Sequence, residues 1–329
     1  MRVSIIRRLS RSVLVVLLAT TASFALLRLA PGDATTGSVE GRGRTASERA
    51  VLAQQLGLQQ PLPVQLARYV GDVLRGRLGV SSSEGRPVID VMGDALPATV
   101  LLSGTALLLA ALLGVSVGTL HGWRPESRGV RLAATALTAG YAVPEVVLGT
   151  ALLAVFALHA GLFPAGGLDD PLVALTGSAM ARWRDRGWHV VLPASALALS
   201  WSAVIVRQQR QAVRATAGEP HVQAAQARGV TPLRLLLQHV LRPSMAGSVA
   251  LLGTMLPVVA GGTIVVETLF SWPGMGSLLV RAVTLRDAPL VAGIVILVSA
   301  AVAAGSLLTE LLASRLDPRL RTAADVRRS

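Results

Sequence analysis

What most constrains this chain is a series of six apolar stretches, each close to the ~20 residues that a helix needs to cross the hydrocarbon core of a bilayer. They run from Leu9 to Ala30, Ala98 to Leu120, Leu132 to Ala160, His189 to Val206, Met245 to Phe270, and Ala288 to Ala313. The composition agrees, with 52% of the 329 residues hydrophobic and only 15% charged, against about 25% charged in an average soluble domain. A water-soluble fold of this size would cover its surface with more charge. The expected fold class is therefore an all-α polytopic membrane protein with six transmembrane helices.

The first stretch has two readings. Arg2, Arg7, Arg8 and Arg11 followed by an apolar run also describe a secretory signal peptide, but the run from Val13 to Leu27 is at the long limit for one and favours a retained helix. Six spans put both termini on one side, and the basic residues indicate which. Arg2, Arg7, Arg8 and Arg11 precede the first span, Arg124, Arg128 and Arg131 lie between the second and third, and Arg315, Arg319, Arg321, Arg327 and Arg328 follow the sixth. The connection after the fourth span adds Arg207, Arg210, Arg214, Arg228, Arg234 and Arg242 against the single acid Glu219. The long segment Pro31 to Pro97 instead mixes its Arg residues with seven acids, and long translocated segments largely escape the positive-inside rule. The predicted division is residues 1–30 as cytoplasmic N-terminus and first helix, 31–97 as an extracytoplasmic segment, 98–313 as the remaining five helices including the cytoplasmic loop 207–244, and 314–329 as a cytoplasmic tail.

The outer segment has helical signals of its own. Thr45 with Glu48 has capping-box spacing and predicts a short helix ending at Gly57, while Pro61 or Pro63 can open a second one. In that second helix Leu66, Tyr69, Val70, Val73 and Leu74 share a face. Gly37 to Gly43 has loop composition.

Several chemistries are excluded. All 31 basic residues are Arg; without Lys there is no P-loop, Schiff-base lysine or kinase-type phosphate lysine. Cys is absent as well, which removes disulfides, thiolate nucleophiles and Cys-ligated metals. His121, His159, His189, His221 and His239 are scattered without ligand spacing, so no metal site is expected and no cofactor is called for. Aromatic residues make up only 3% and the Arg residues sit between apolar spans, which argues against a nucleic-acid partner. The partner of the apolar surface is membrane lipid.

The most informative segment follows the fourth span, from Gly218 to Arg234. Pro220 suits the first turn of a helix, Gly229 suits its stop, and Thr231 followed by Pro232 suits the start of another. Val222, Ala224 and Ala225 form a small apolar face on the first of these helices, with Gln223, Gln226 and Arg228 around it, and this reads as a knob for another protein's groove. The competing reading, a helix lying on lipid headgroups, is weakened by its having only one strongly apolar residue.

This segment resembles the EAA loop of the membrane subunits of binding-protein-dependent ABC importers. Glu219, Ala225 and Gly229 match that pattern, while Pro220, His221 and Gln226 depart from it where an acid, an aromatic and a basic residue are usual. Further blocks resemble the peptide and nickel permeases in particular: Arg28 to Asp33, Leu56 to Leu62, Leu96 to Thr99, Tyr141 to Pro144, Phe163 to Gly167, Val191 to Ala194, Glu267 to Gly276 and Leu316 to Arg321, in the family's order. They point to the member of the permease pair that carries a large outer segment after its first helix. The resemblance implies a type I ABC importer permease that performs no chemistry itself. It implies as partners a second homologous permease subunit, two ATP-binding subunits and an extracytoplasmic substrate-binding protein, and it implies that Glu219, Val222, Ala224, Ala225, Arg228 and Gly229 form the coupling contact with an ATPase.

Three further positions have paired readings. Glu145, the one acid deep in a span, is costly there by roughly 2.5–3.5 kcal/mol on insertion scales, so it either lines a hydrated path or makes a structural hydrogen bond. Pro257 and the pair Gly261 and Gly262 in the fifth span suit either gating or close packing. Glu267 and Glu310 lie nearer span ends and are weaker candidates. The expected function is half of the translocation path of an ATP-driven importer, for peptides by resemblance, with nickel as the alternative cargo. The rival class, a self-sufficient ion-coupled transporter or channel, usually shows several intramembrane ionisable groups or inverted repeats, which this sequence lacks.

Overall fold

The computed structural model describes residues 2–29, 60–261 and 263–316, and their regular structure is helical apart from one isolated bridge between Val80 and Pro87. α1 spans Arg2–Leu29. α2 (Leu62–Leu74) is opened by Pro61 and Pro63 as expected, and its Tyr69 ring lies 5.8 Å from Phe24 of α1. Leu66, Val70 and Val73 share the half-buried face of α2, whereas Leu74 is exposed. The expected Thr45 helix and the Gly37 to Gly43 loop lie outside the described residues.

α3 (Val88–Trp123) starts ten residues before the expected span, because Pro97 sits inside the helix instead of ending it. α4 (Arg128–Gly140) and α5 (Glu145–Leu152, continuing through wide i→i+5 turns to His159) meet at 115°, so the expected third span, Leu132 to Ala160, is a broken one. Pro144 is the cause: it cannot donate to the preceding turn, and it pushes Val143 out of helical conformation. Two short helices follow, α6 (Pro171–Thr176) and α7 (Ala179–His189), then the long α8 (Val191–Ala217) and the short α9 (Pro220–Ala227).

From Pro232 the chain is helical through α10 (Pro232–Arg234), wide turns from Leu235 to Leu241, and α11 (Arg242–Gly261). The expected fifth span, Met245 to Phe270, is corrected twice: its apolar helix begins at Pro232, and a separate α12 (Ile264–Leu269) follows the end of α11. α13 (Met275–Thr284) and α14 (Ala288–Leu316) complete the chain. Among the described residues four helical runs are long and apolar enough to cross a membrane, namely α3, α8, Pro232–Met255 and the Ala288–Leu307 part of α14, and the bent α4–α5 pair makes up to five. The sixth expected crossing rests on α1, a helix of 28 residues that contains the apolar run Val13–Leu27.

The core is built around α3 and α8. Gly114, Gly118 and Gly122 recur every fourth residue of α3, and a Cβ at each would overlap Ile205, Gln209 and Val213 of α8 respectively. The two backbones therefore touch along three turns, an approach that small-xxx-small spacing permits and any larger residue forbids. Gln209 is fully buried there; its amide donates to Thr119 (3.1 Å) and Ser244 (3.2 Å) and accepts from Ser248 (2.6 Å), tying α3, α8 and α11 together. α11 and α1 pack along α14.

Candidate functional site

At one end of the α3–α8 pair the chain makes the helix, turn and helix expected after the fourth span. Gly218 closes α8, Glu219 precedes α9, and Pro220 takes its first position. Gly229 has φ +79°, the left-handed conformation that glycine adopts without cost, and Thr231 and Pro232 open the next helix. The carboxylate of Glu219 lies 3.1 Å from Nδ1 of His221, whose Nε2 is 3.2 Å from the carbonyl of His239.

The apolar face of α9 corrects the knob reading. Val222 and Ala225 are buried within the chain, against Val213 of α8 and Leu235, Leu236 and Val240 of the wide turns, with Trp123, Ala217 and Val230 at the edge. A face this apolar finds its partner on the nearest part of its own chain. What α9 leaves exposed is Ala224 together with His221, Gln223, Gln226, Ala227 and Arg228.

At the far end of α3 the structure assembles a polar knot that the sequence reading rated low. Glu267 of α12 is 0% exposed, and it accepts hydrogen bonds from the Thr99 hydroxyl (3.0 Å) and from the backbone N–H groups of Gly276 (2.7 Å) and Ser277 (3.0 Å). The carboxylate thereby caps α13 from another helix, where the dipole favours an anion. Thr99 in turn accepts from the N–H of Met275 (2.6 Å), and the fully buried Trp272 indole donates to the carbonyl of Ala98 (2.8 Å). Gly274 has no room for a side chain, since a Cβ there would lie 2.5 Å from Oε2 of Glu267. The N–H of Gly167 bonds to the carbonyl of Phe270 (2.9 Å). Three blocks distant in sequence, Leu96 to Thr99, Phe163 to Gly167 and Glu267 to Gly276, thus meet at one place. The only sequence signal for Glu267 was its membership of the longest block.

Next to the knot, Asp287 is a second buried cap. One oxygen accepts from the N–H of Leu290 (3.1 Å) at the start of α14, and the other from the Ser81 hydroxyl (2.5 Å) and from the N–H (2.9 Å) and hydroxyl (2.7 Å) of Ser83. Burial pushes its carboxyl up, but these hydrogen bonds outweigh burial and hold it below the ordinary aspartate range. Arg281 reaches Glu84 across the same junction (3.0 Å). The end of the outer segment is thereby fastened to α13 and α14.

Glu145 stands in the first turn of α5, just past the 115° bend, rather than deep in a straight span. It is half-buried, with Trp201 of α8 nearby. Arg207 of α8 stacks on Tyr141 of the bend, 5.2 Å from the ring centre. Pro257 and Gly261 lie in the last turns of α11, and Gly262 lies outside the described residues. No group of three or more potential metal ligands occurs among the described residues.

Residues 110–322 match the model of the binding-protein-dependent transport system inner membrane component family, and residues 1–103 match the model of the N-terminal part of such membrane components. The chain belongs to this family. It is a multi-pass inner membrane permease, a transport subunit of an ABC importer. The permease is 33% identical to a probable peptide ABC transporter permease protein of Sinorhizobium fredii, over 98% of this chain and 100% of that one. It is 32% identical to the dipeptide transport system permease protein DppB of Escherichia coli, over 96% and 98% of the two chains. With the oligopeptide transport system permease protein AppB of Bacillus subtilis it shares 30% identity over 96% and 98%. The family matches cover both ends of the α3–α8 pair, the knot and the α9 turn alike.

Proposed function

We propose that this permease carries peptides, forming half of a translocation path with a second homologous permease subunit. The reading rests on near full-length similarity to relatives whose names specify peptide, dipeptide and oligopeptide transport. Two separate ATP-binding subunits hydrolyse ATP, since this chain has no Lys for a P-loop, and an extracytoplasmic binding protein delivers the cargo. Both termini and the loop 207–244 face the cytoplasm, as the Arg distribution requires. The exposed face of α9, Ala224 and Arg228 with Glu219 and the Gly229 turn at its ends, is the contact for an ATPase. Val222 and Ala225 act beneath it by holding α9 to the bundle.

Glu145 is assigned to the path. A carboxylate has about four acceptor sites, which gives Glu145 capacity for the cationic or N–H groups of a peptide. Pro257, Gly261 and Gly262 are assigned to gating or to close packing. Uptake of labelled dipeptide and of nickel by cells with and without the gene decides the substrate. Loss of peptide uptake alone is expected, and loss of nickel uptake alone overturns the reading. A Cys placed at Gly218 of this Cys-free protein reports the orientation: labelling by an impermeant reagent from outside intact cells reverses the topology.

A further inference from the structure

The connection between α5 and α8 exposes large apolar side chains in an ordered pattern. On α6 Leu172 and Leu175 are 68% and 86% exposed, and on α7 Met180 and Trp183 are 78% and 64% exposed. Each pair is three residues apart and so shares a face. Among the described residues the one ring contact they make is with the Arg186 guanidinium, 6.0 Å from the centre of the Trp183 ring, although the segment is firmly built. Asp170 caps α6 through the N–H of Leu172 (2.7 Å), Ser178 caps α7, and the Phe163 ring packs on Trp188 with centres 4.7 Å apart.

The charges of this segment are divided in a telling way. Its three acids are all engaged: Asp169 pairs with Arg186 (3.0 Å), Asp170 caps α6, and Asp185 accepts from the N–H of Asp170 (2.6 Å) and lies 3.6 Å from His189. Arg182 and Arg184, both exposed, form no ion pair among the described residues. Two uncompensated guanidinium groups therefore flank Trp183. The position is constrained as well, because the segment begins where one membrane limb ends, after His159, and α7 runs through Val190 directly into α8. It is held at the level where hydrocarbon gives way to water.

We propose that α6 and α7 lie in the membrane interface, with Leu172, Leu175, Met180 and Trp183 at the headgroup–acyl boundary and Arg182 and Arg184 on anionic phospholipid headgroups. Trp is favoured at that depth, and Arg can keep its stem among acyl chains while its charge meets a phosphate. Apolar insertion supplies the contact, and the two Arg residues make it sensitive to lipid charge.

The test uses the full chain reconstituted in vesicles of phosphatidylcholine alone or mixed with phosphatidylglycerol. Nitroxide labels are placed singly at Leu175→Cys, Met180→Cys and, as an aqueous reference, Gln226→Cys. All three sites are exposed, so the label leaves packing intact. The labels at 175 and 180 are expected to be several-fold less accessible to a water-soluble nickel chelate than the reference and more accessible to oxygen, with the protection rising when phosphatidylglycerol is present. Arg182→Gln with Arg184→Gln should abolish that rise and leave the melting temperature unchanged. Independently, brominated lipid should quench the fluorescence lost in Trp183→Phe. Chelate accessibility equal to the reference in both vesicles overturns the proposal. So does protection that appears only after partner subunits are co-reconstituted, which would give this face to a protein.

Discussion

The two ends of the α3–α8 pair are held by opposite means. At the Thr99 end the contacts are directional: Glu267 and Asp287 each accept several hydrogen bonds at set distances, and Gly274 leaves no room for a Cβ. At the α9 end the buried contacts are apolar side chains of modest size, Val213, Val222, Ala225, Leu235, Leu236 and Val240, with one exposed polar tie from His221 to the carbonyl of His239. Hydrogen-bonded cores tolerate one arrangement, because a half-satisfied network costs more than an apolar one. Dispersion contacts have no direction and allow small shifts at little cost. The difference assigns rigidity to the knot and adjustability to the α9 end, the end proposed above to meet an ATPase.

The largest effect should come from Ala225→Glu. A charge forced into the contact between α9 and the wide turns lacks a partner, at about 3–5 kcal/mol if α9 stays docked. The helix should instead detach, and transport should fail with the rest of the bundle intact. Protection of α9 amides against hydrogen exchange reads this directly, and unchanged protection would mean that Ala225 faces a partner after all.

Glu267→Ala comes next. It leaves Thr99 and two backbone N–H groups without their acceptor, for a loss at the upper end of ~1–3 kcal/mol. Because the network is directional, Glu267→Gln should recover only part of the stability, and full recovery in thermal melts would show that shape rather than the carboxylate holds the knot.

A smaller, pH-dependent loss is expected for Asp287→Asn. The folded carboxyl is held below its ordinary range, so the stability it contributes is fully present above about pH 4, the ordinary aspartate value, and is lost as pH falls through the folded value. The variant should therefore melt lower than the parent at neutral pH and converge with it in acid. A constant gap would remove the carboxylate from the account.

The smallest effect on folding is expected at Ala224, one residue from the first site. Ala224→Glu should change stability by no more than about 0.5 kcal/mol yet abolish stimulation of the partner ATPase by cargo. If Ala224→Glu transports normally, the exposed face of α9 is not the coupling contact.

What was legible in the sequence is what depends on neighbours along the chain. Pro220, Gly229 and Pro232 punctuate the α9 region because each acts on its own backbone, and hydrophobic length located the long helices for the same reason. Periodicity put Val222 and Ala225 on one face but could not say what covers it, which is decided by where Leu235 and Val240 return. Thr99 and Glu267 are 168 residues apart, and no local pattern reveals such a pairing. Pro144 and Pro97 show the limit from another side: each follows a glycine by four residues, Gly140 and Gly93, yet one ends a helix and the other is absorbed by it.

The glycine stripe of α3 has a mechanical consequence. Two helices whose backbones touch at Gly114, Gly118 and Gly122, riveted by Gln209 at the middle of that seam, cannot slip past each other by less than a whole turn. They form a single stiff lever, and α3 alone, at 36 residues, is about 54 Å long at 1.5 Å per residue. If α9 is the ATPase contact proposed above, a displacement of this lever at its α9 end moves its Thr99 end with it, because the two helices leave no room to shear between them.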